Sequence, residues 1–156
     1  MSNGFKLPIL AIFKQNSQQK IESINNEKLV CTSNQSGWAN EKIILNYLNK
    51  TIFNLKHFEQ IQFCFIWDQC PAHQSKEIKE LFRKNNIELN FIPSGCTSLV
   101  QPLDVSLNKP FKNNMKLKFE SWFQEIGCKP QNKTKKGYII PPSKQLMQNW
   151  IISSFE

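Results

Sequence analysis

Arginine is almost missing from this chain. Of its 20 basic residues, all but Arg83 are lysines. Without guanidinium forks, bidentate readout of base edges is scarce. Lysines favour phosphate-backbone contact that does not discriminate sequence. Aspartate is rarer than its chemistry would suggest, with Asp68 and Asp104 as the only two. Any carboxylate site built on aspartate must use them. Cysteine is present at 31, 64, 70, 96 and 128, but in no paired framework. That excludes a disulfide scaffold and fits a reducing intracellular compartment. No apolar run is long enough to span a bilayer, and the first residues do not read as a signal peptide. A membrane is therefore not expected among the partners. There is no internal repeat and no low-complexity tract.

What the chain does have is positive charge and phenylalanine. The net charge is +8, the pI about 9.3, and 12 phenylalanines stand among 40% hydrophobic residues. A chain of 156 residues reads as one domain with enough apolar material for a core. The charge suits a polyanion such as DNA, although lysine-rich surfaces also serve solubility alone.

Taken in order, Phe5 to Lys14 is short and apolar and predicts a strand, with Pro8 at its edge or at a bulge. Gln15 to Lys28 is polar and aperiodic. Leu29 to Thr32 predicts a second strand, joined to the first as a hairpin with a long connection. Ser36 to Asn40 leads into a helix with Ile44, Tyr47, Leu48 and Phe53 on its apolar side.

The stretch from Ile61 to Asp104 organises the rest. Ile61, Phe63, Phe65 and Trp67 alternate with Gln62, Cys64 and Ile66 and predict a buried strand that ends on Asp68. Pro71 then turns the chain, Ser75 caps a helix carrying Ile78, Leu81 and Phe82, and Asn85-Asn86 stops it. Leu89 to Ile92 forms the next strand, and Pro93-Ser94-Gly95 ends it. Strand, helix, strand is the pattern of a parallel pair. Ligands in such sheets bind beyond the carboxyl ends of the strands, which is where Asp68 falls. Gln101-Pro102-Leu103-Asp104 opens a further helix. In it Leu103, Leu107, Phe111, Met115, Phe119 and Phe123 recur every four residues with Trp122 alongside, Pro110 is expected to kink or break it, and Gly127 ends it. Lys129 to Gly137 reads as a basic, flexible loop. Pro141-Pro142-Ser143 starts a last helix with Leu146, Trp150 and Ile151 spaced for burial.

Two segments carry a family resemblance: WDQCPAH at 67–73 and IPSGCTSLVQPLDVSLNKPFK at 92–112. With them the chain resembles the catalytic domain of the pogo/Tigger/Jerky group of DDE transposases, to which a centromere-binding protein is related. Thirty-five residues separate Asp68 from Asp104, a gap typical of that group. Weaker similarity covers GFKLPILAIFK, GWANEKIILNYL and PPSKQLMQNWI. The resemblance implies an α/β, ribonuclease-H-like mixed sheet flanked by helices, two divalent metals (Mg²⁺ or Mn²⁺), DNA as partner, strand transfer as reaction and a nuclear location.

Carried onto this chain, Asp68 matches the second of the family's three acidic metal ligands and Asp104 the third. The first belongs to a central strand that in the family precedes the segment matched by Phe5 to Lys14. The expectation is therefore a single partial domain over 1–156, with core motifs at 61–112, lacking that strand. Glu22 and Glu27 lie on the wrong side of the match to replace it. The family's helix-turn-helix region has no counterpart here, so terminal-repeat recognition is not assigned. Trp67 and Gln69 depart mildly from the family's aliphatic residue and Asn. A non-catalytic, domesticated DNA- or protein-binding module that kept the fold and lost cleavage is the competing reading, and an unrelated metal-dependent nuclease is disfavoured by QPLD.

Other residues are weighed against plainer roles. An Asp at a strand end is commonly a turn residue, and the two motifs are what lift Asp68 and Asp104 above that. His73 could touch DNA or Asp68, or be structural. Cys64, Cys70 and His73 match no zinc spacing. Thr97 and Ser98 could cap a helix or bond a phosphate. Lys109, Lys112, Lys133, Lys135 and Lys136 are candidate phosphate contacts, and the last three read equally as a solvated loop.

Overall fold

A computed structural model of the chain describes residues 6–15, 28–53, 64–96 and 107–155. It is mixed α and β. The chain divides into two compact units, Met1–Gln101 and Pro102–Glu156.

In the first unit, β1 (Ile9–Lys14) pairs with β2 (Leu29–Asn34) in parallel, Ile9 opposite Leu29 and Lys14 opposite Asn34. The expected hairpin is thus corrected to a crossover. A two-residue turn would force antiparallel pairing, and a connection as long as 15–28 leaves the parallel pairing open. Parallel register buries Leu29 and Cys31 on one face of β2. Pro8 sits just before β1, where its missing N–H costs no ladder bond.

Asn40 caps α1 (Glu41–Tyr47) by accepting from the Ile43 amide, and a π-helical turn continues it from Leu48 to Ile52. β3 (Cys64–Trp67) and β4 (Glu88–Phe91) are parallel, as the strand–helix–strand pattern predicts. Between them α2 (Lys76–Lys84) starts at Ser75, whose hydroxyl accepts from the Ile78 amide. It stops at Asn85-Asn86, with Asn86 left-handed at φ +54. Asparagine tolerates that conformation, and the Ile87 amide then closes back on the Phe82 carbonyl.

Among the described residues the strands form two separate two-stranded sheets, so the single mixed sheet is not seen there, nor is a direct pairing of β1 with β3. β3 also differs from a fully buried strand. Phe65 and Trp67 turn inward, but Ile66 on the other face is 53% exposed. Hydrophobicity on both sides of a strand marks two-sided cover, and here one side stays open.

Ile44, Leu48, Ile78 and Phe82 form the core of this unit. Tyr47 is packed beside them, and its hydroxyl donates to the Pro8 carbonyl, pinning α1 to the residue before β1. Burial raises its pKa to about 12. The unfolded phenol titrates near 10, so between about pH 10 and 12 the native state holds the proton more tightly than the unfolded one. Stability then falls as pH rises through that window, by roughly 2–3 kcal/mol in all. In urea unfolding at rising pH, Tyr47→Phe is expected to lose that alkaline slope. At pH 7 it should cost about 1 kcal/mol for the lost hydrogen bond.

In the second unit, α3 runs Asn108–Trp122 and passes into a π-helical turn, Phe123–Gly127. The expected break at Pro110 does not occur, since the helix runs on through it. The expected helix start at 101–104 lies outside the described residues. α4 spans Lys144–Phe155, with the Ser143 hydroxyl accepting from the Leu146 amide. Trp122 meets Trp150 at 6.3 Å and Phe111 meets Phe155 at 6.4 Å. Leu146, Trp150 and Ile151 are only half-buried, and the most buried residues of α4 are Gln148 and Ser154. Half of the twelve residues of α4 are polar and they are not confined to one side, so its period alone does not choose the inward face.

The basic segment between α3 and α4 is not a loose loop. A turn at Pro130–Asn132 leads into a hairpin bridged at Lys133 and Ile139. Gly137, at φ +83, donates its amide to the Thr134 carbonyl, and the Thr134 amide donates to the Tyr138 carbonyl. Glycine supplies the left-handed turn position, and the Thr134 hydroxyl and Asn132 side chain brace it, which lysine content could not reveal.

Candidate metal and nucleic-acid site

Asp68 follows β3 directly, at the carboxyl end of the parallel β3–β4 pair. The Ile92 amide extends the ladder to the Trp67 carbonyl. The Cys70 amide donates to Asp68 Oδ1 at 3.2 Å, which starts the turn. Pro71 then opens a single 3₁₀ turn, Pro71–His73, because its fixed φ suits a first helical position. That turn folds His73 back on the strand end. Its Nδ1 lies 2.6 Å from Asp68 Oδ1, and its ring stacks on Trp67 at 3.8 Å and 17°. The contact with Asp68 that the sequence left open for His73 is present.

The geometry has a chemical consequence. An ionised carboxylate only accepts, so the Asp68 bond requires the proton on His73 Nδ1. Oδ1 takes two donors, whereas Oδ2 has no hydrogen bond among the described residues. The Asp68 side chain is 35% exposed and that of His73 13%. A half-open hard oxygen on a fixed carboxylate suits an ion such as Mg²⁺, which takes one or two carboxylates and completes its shell with water and substrate phosphate. Among the described residues, no three His, Cys, Asp or Glu side chains form a metal-holding group. Asp104, Thr97 and Ser98 lie outside the described residues.

Two features were not foreseen. The Ser94 hydroxyl donates to Gln69 Oε1 at 2.8 Å. It ties the turn after β4, where the second motif begins, to the residue after Asp68. A serine in a Pro-Ser-Gly turn was the only sequence signal for it. The second feature is a carboxylate pair, Glu41 opening α1 and Glu77 in the first turn of α2. Hydrogen bonding to Glu77 holds the Glu41 carboxyl above its ordinary value. Glu77, whose carboxylate takes its own backbone amide, is held below.

Lys109 and Lys112 are exposed near the start of α3, and Lys133, Lys135 and Lys136 are exposed on the hairpin. No helix among the described residues is long and apolar enough to cross a membrane.

A family model described as DDE superfamily endonuclease matches residues 1–153. A human protein, "Pogo transposable element with ZNF domain", is 20% identical over 126 residues. That match covers 81% of this chain and only 9% of the human protein. No solved structure matches significantly. With a match over nearly its whole length, the chain belongs to the DDE superfamily endonucleases as a pogo-like domain.

Proposed function

We propose that this chain is a transposon-derived, ribonuclease-H-like nuclease domain that acts on DNA in the nucleus and holds Mg²⁺ or Mn²⁺ through Asp68 and Asp104. The supporting observation is the Asp68–His73 pair at the carboxyl end of β3, with one carboxylate oxygen left available. A bound divalent ion would supply Lewis-acid activation of a water or 3′-hydroxyl and neutralise charge at the phosphate. His73 and the Cys70 amide keep the Asp68 carboxylate in place. Lys109, Lys112, Lys133, Lys135 and Lys136 take backbone phosphates without reading sequence. The family's site uses three acidic ligands, and these 156 residues hold only two aspartates.

We therefore expect the chain as given to bind DNA and Mn²⁺ but not to cut. The second reading is a non-catalytic, domesticated DNA- or protein-binding module of the same fold, which the net charge of +8 with a single arginine fits equally. The test is a supercoiled-plasmid nicking assay with Mn²⁺, beside Asp68→Ala and Asp104→Ala. No nicking is expected, with DNA retention that falls steeply as salt rises, through counterion release. Robust nicking that vanishes in both variants would mean a further residue, such as a glutamate, completes the site. Absence of DNA retention at low salt would remove DNA as the partner.

A further inference from the structure

The segment Lys129–Ile140 carries four lysines and no carboxylate. It is also a built hairpin. The Lys133–Ile139 bridge, the Thr134–Tyr138 bond and the Asn132 amide on the Ile140 carbonyl fix its shape. On that scaffold Tyr138 is 71% exposed, beside exposed Ile139 and Ile140. A merely solvated lysine loop has no need of a braced frame that displays an aromatic ring. We propose that the hairpin is a platform for single-stranded DNA, on which Tyr138 stacks against an unpaired base while Lys133, Lys135 and Lys136 take the flanking phosphates.

The charge selects a polyanion. The ring selects the strand state, because a duplex offers base edges and only unpaired nucleotides offer a base face. Holding the ring in place beforehand lowers the ordering cost of stacking. Stacking tolerates any base, in keeping with a chain nearly devoid of arginine. The inference rests on DNA being the partner but adds which form of DNA this element takes.

The experiment is fluorescence anisotropy on the full 156-residue chain, with a labelled oligothymidine and with a duplex of equal length. Tyr138→Ala is expected to weaken single-strand binding about tenfold and to leave duplex binding nearly unchanged. Tyr138→Phe, which keeps the face of the ring, should bind like the parent. Lys135→Ala with Lys136→Ala should weaken both DNAs and flatten the salt dependence. On binding oligothymidine, the Tyr138 ring protons should move upfield in NMR spectra. Circular dichroism of each variant checks that the fold is kept. An unchanged single-strand affinity in Tyr138→Ala, or equal losses for both DNAs, overturns the platform and leaves DNA binding standing. Failure of the parent to bind either DNA overturns the DNA reading itself, and capture of an acidic protein instead would reassign the hairpin to protein docking.

Discussion

Phe82→Ala is expected to cost the first unit about 3–5 kcal/mol. Phe82 is 1% exposed and sits where both helices and the β3 strand converge. Its ring lies 5.3 Å from Phe65, 5.6 Å from Phe53 and 6.3 Å from Trp67. Truncation removes the burial of one large ring and one edge of each of three aromatic contacts, and it leaves a cavity that these rings are too rigid to fill. Against a typical domain stability of about 5–15 kcal/mol, that is a large share. Urea unfolding followed by circular dichroism should show a much lower midpoint with little change in slope. Phe82→Leu, which keeps most of the volume, should cost roughly half as much or less. If Phe82→Ala shifts the midpoint hardly at all, the aromatic cluster is not what holds α2 to the sheet.

The second large effect is on metal affinity. Asp68→Ala is expected to abolish detectable Mn²⁺ binding, read by electron paramagnetic resonance on the intact chain. His73→Ala should weaken it about tenfold or more, the scale seen when a ligand's hydrogen-bond partner is removed. The loss arises because the carboxylate then has one amide donor at 3.2 Å and no ring beside it. His73→Asn, which keeps a side-chain N–H donor, should recover part of the affinity. A merely structural His73 would show the same Mn²⁺ affinity in the alanine and asparagine variants, and binding unaffected by Asp68→Ala would place the ion elsewhere.

Much of this was legible in the sequence, for identifiable reasons. Ser75, Asn85 and Asn86 act through bonds to neighbouring backbone, so local order reveals them. The placement of Asp68 followed from a hydrophobic strand broken by a charge and then by proline. What needed the structure was longer in range or depended on a choice between equivalent faces. Nothing local says that β2 runs parallel to β1, that Ile66 faces outward, or that Gln69 and Ser94, 25 positions apart, share a bond. The return of His73 onto Asp68 depended on the turn at Pro71 closing in three residues, with Trp67 waiting as a platform. Pro110 was expected to kink or break its helix, and the helix runs on through it.

Gly127 carries a consequence of another kind. It is buried at the end of the π-helical turn, where a Cβ would lie 2.9 Å from a ring carbon of Trp122 and 3.1 Å from one of Phe123. The restriction is one of room, since its backbone is not left-handed. Every other residue type is therefore penalised there whatever its helix propensity. A gene drifting without selection would accept substitutions at 127 as readily as at the exposed lysines, whereas a gene kept for its folded product would not. The allele spectrum at this codon, compared with codons 135 and 136, thus separates a maintained protein from a decaying relic without any assay of activity.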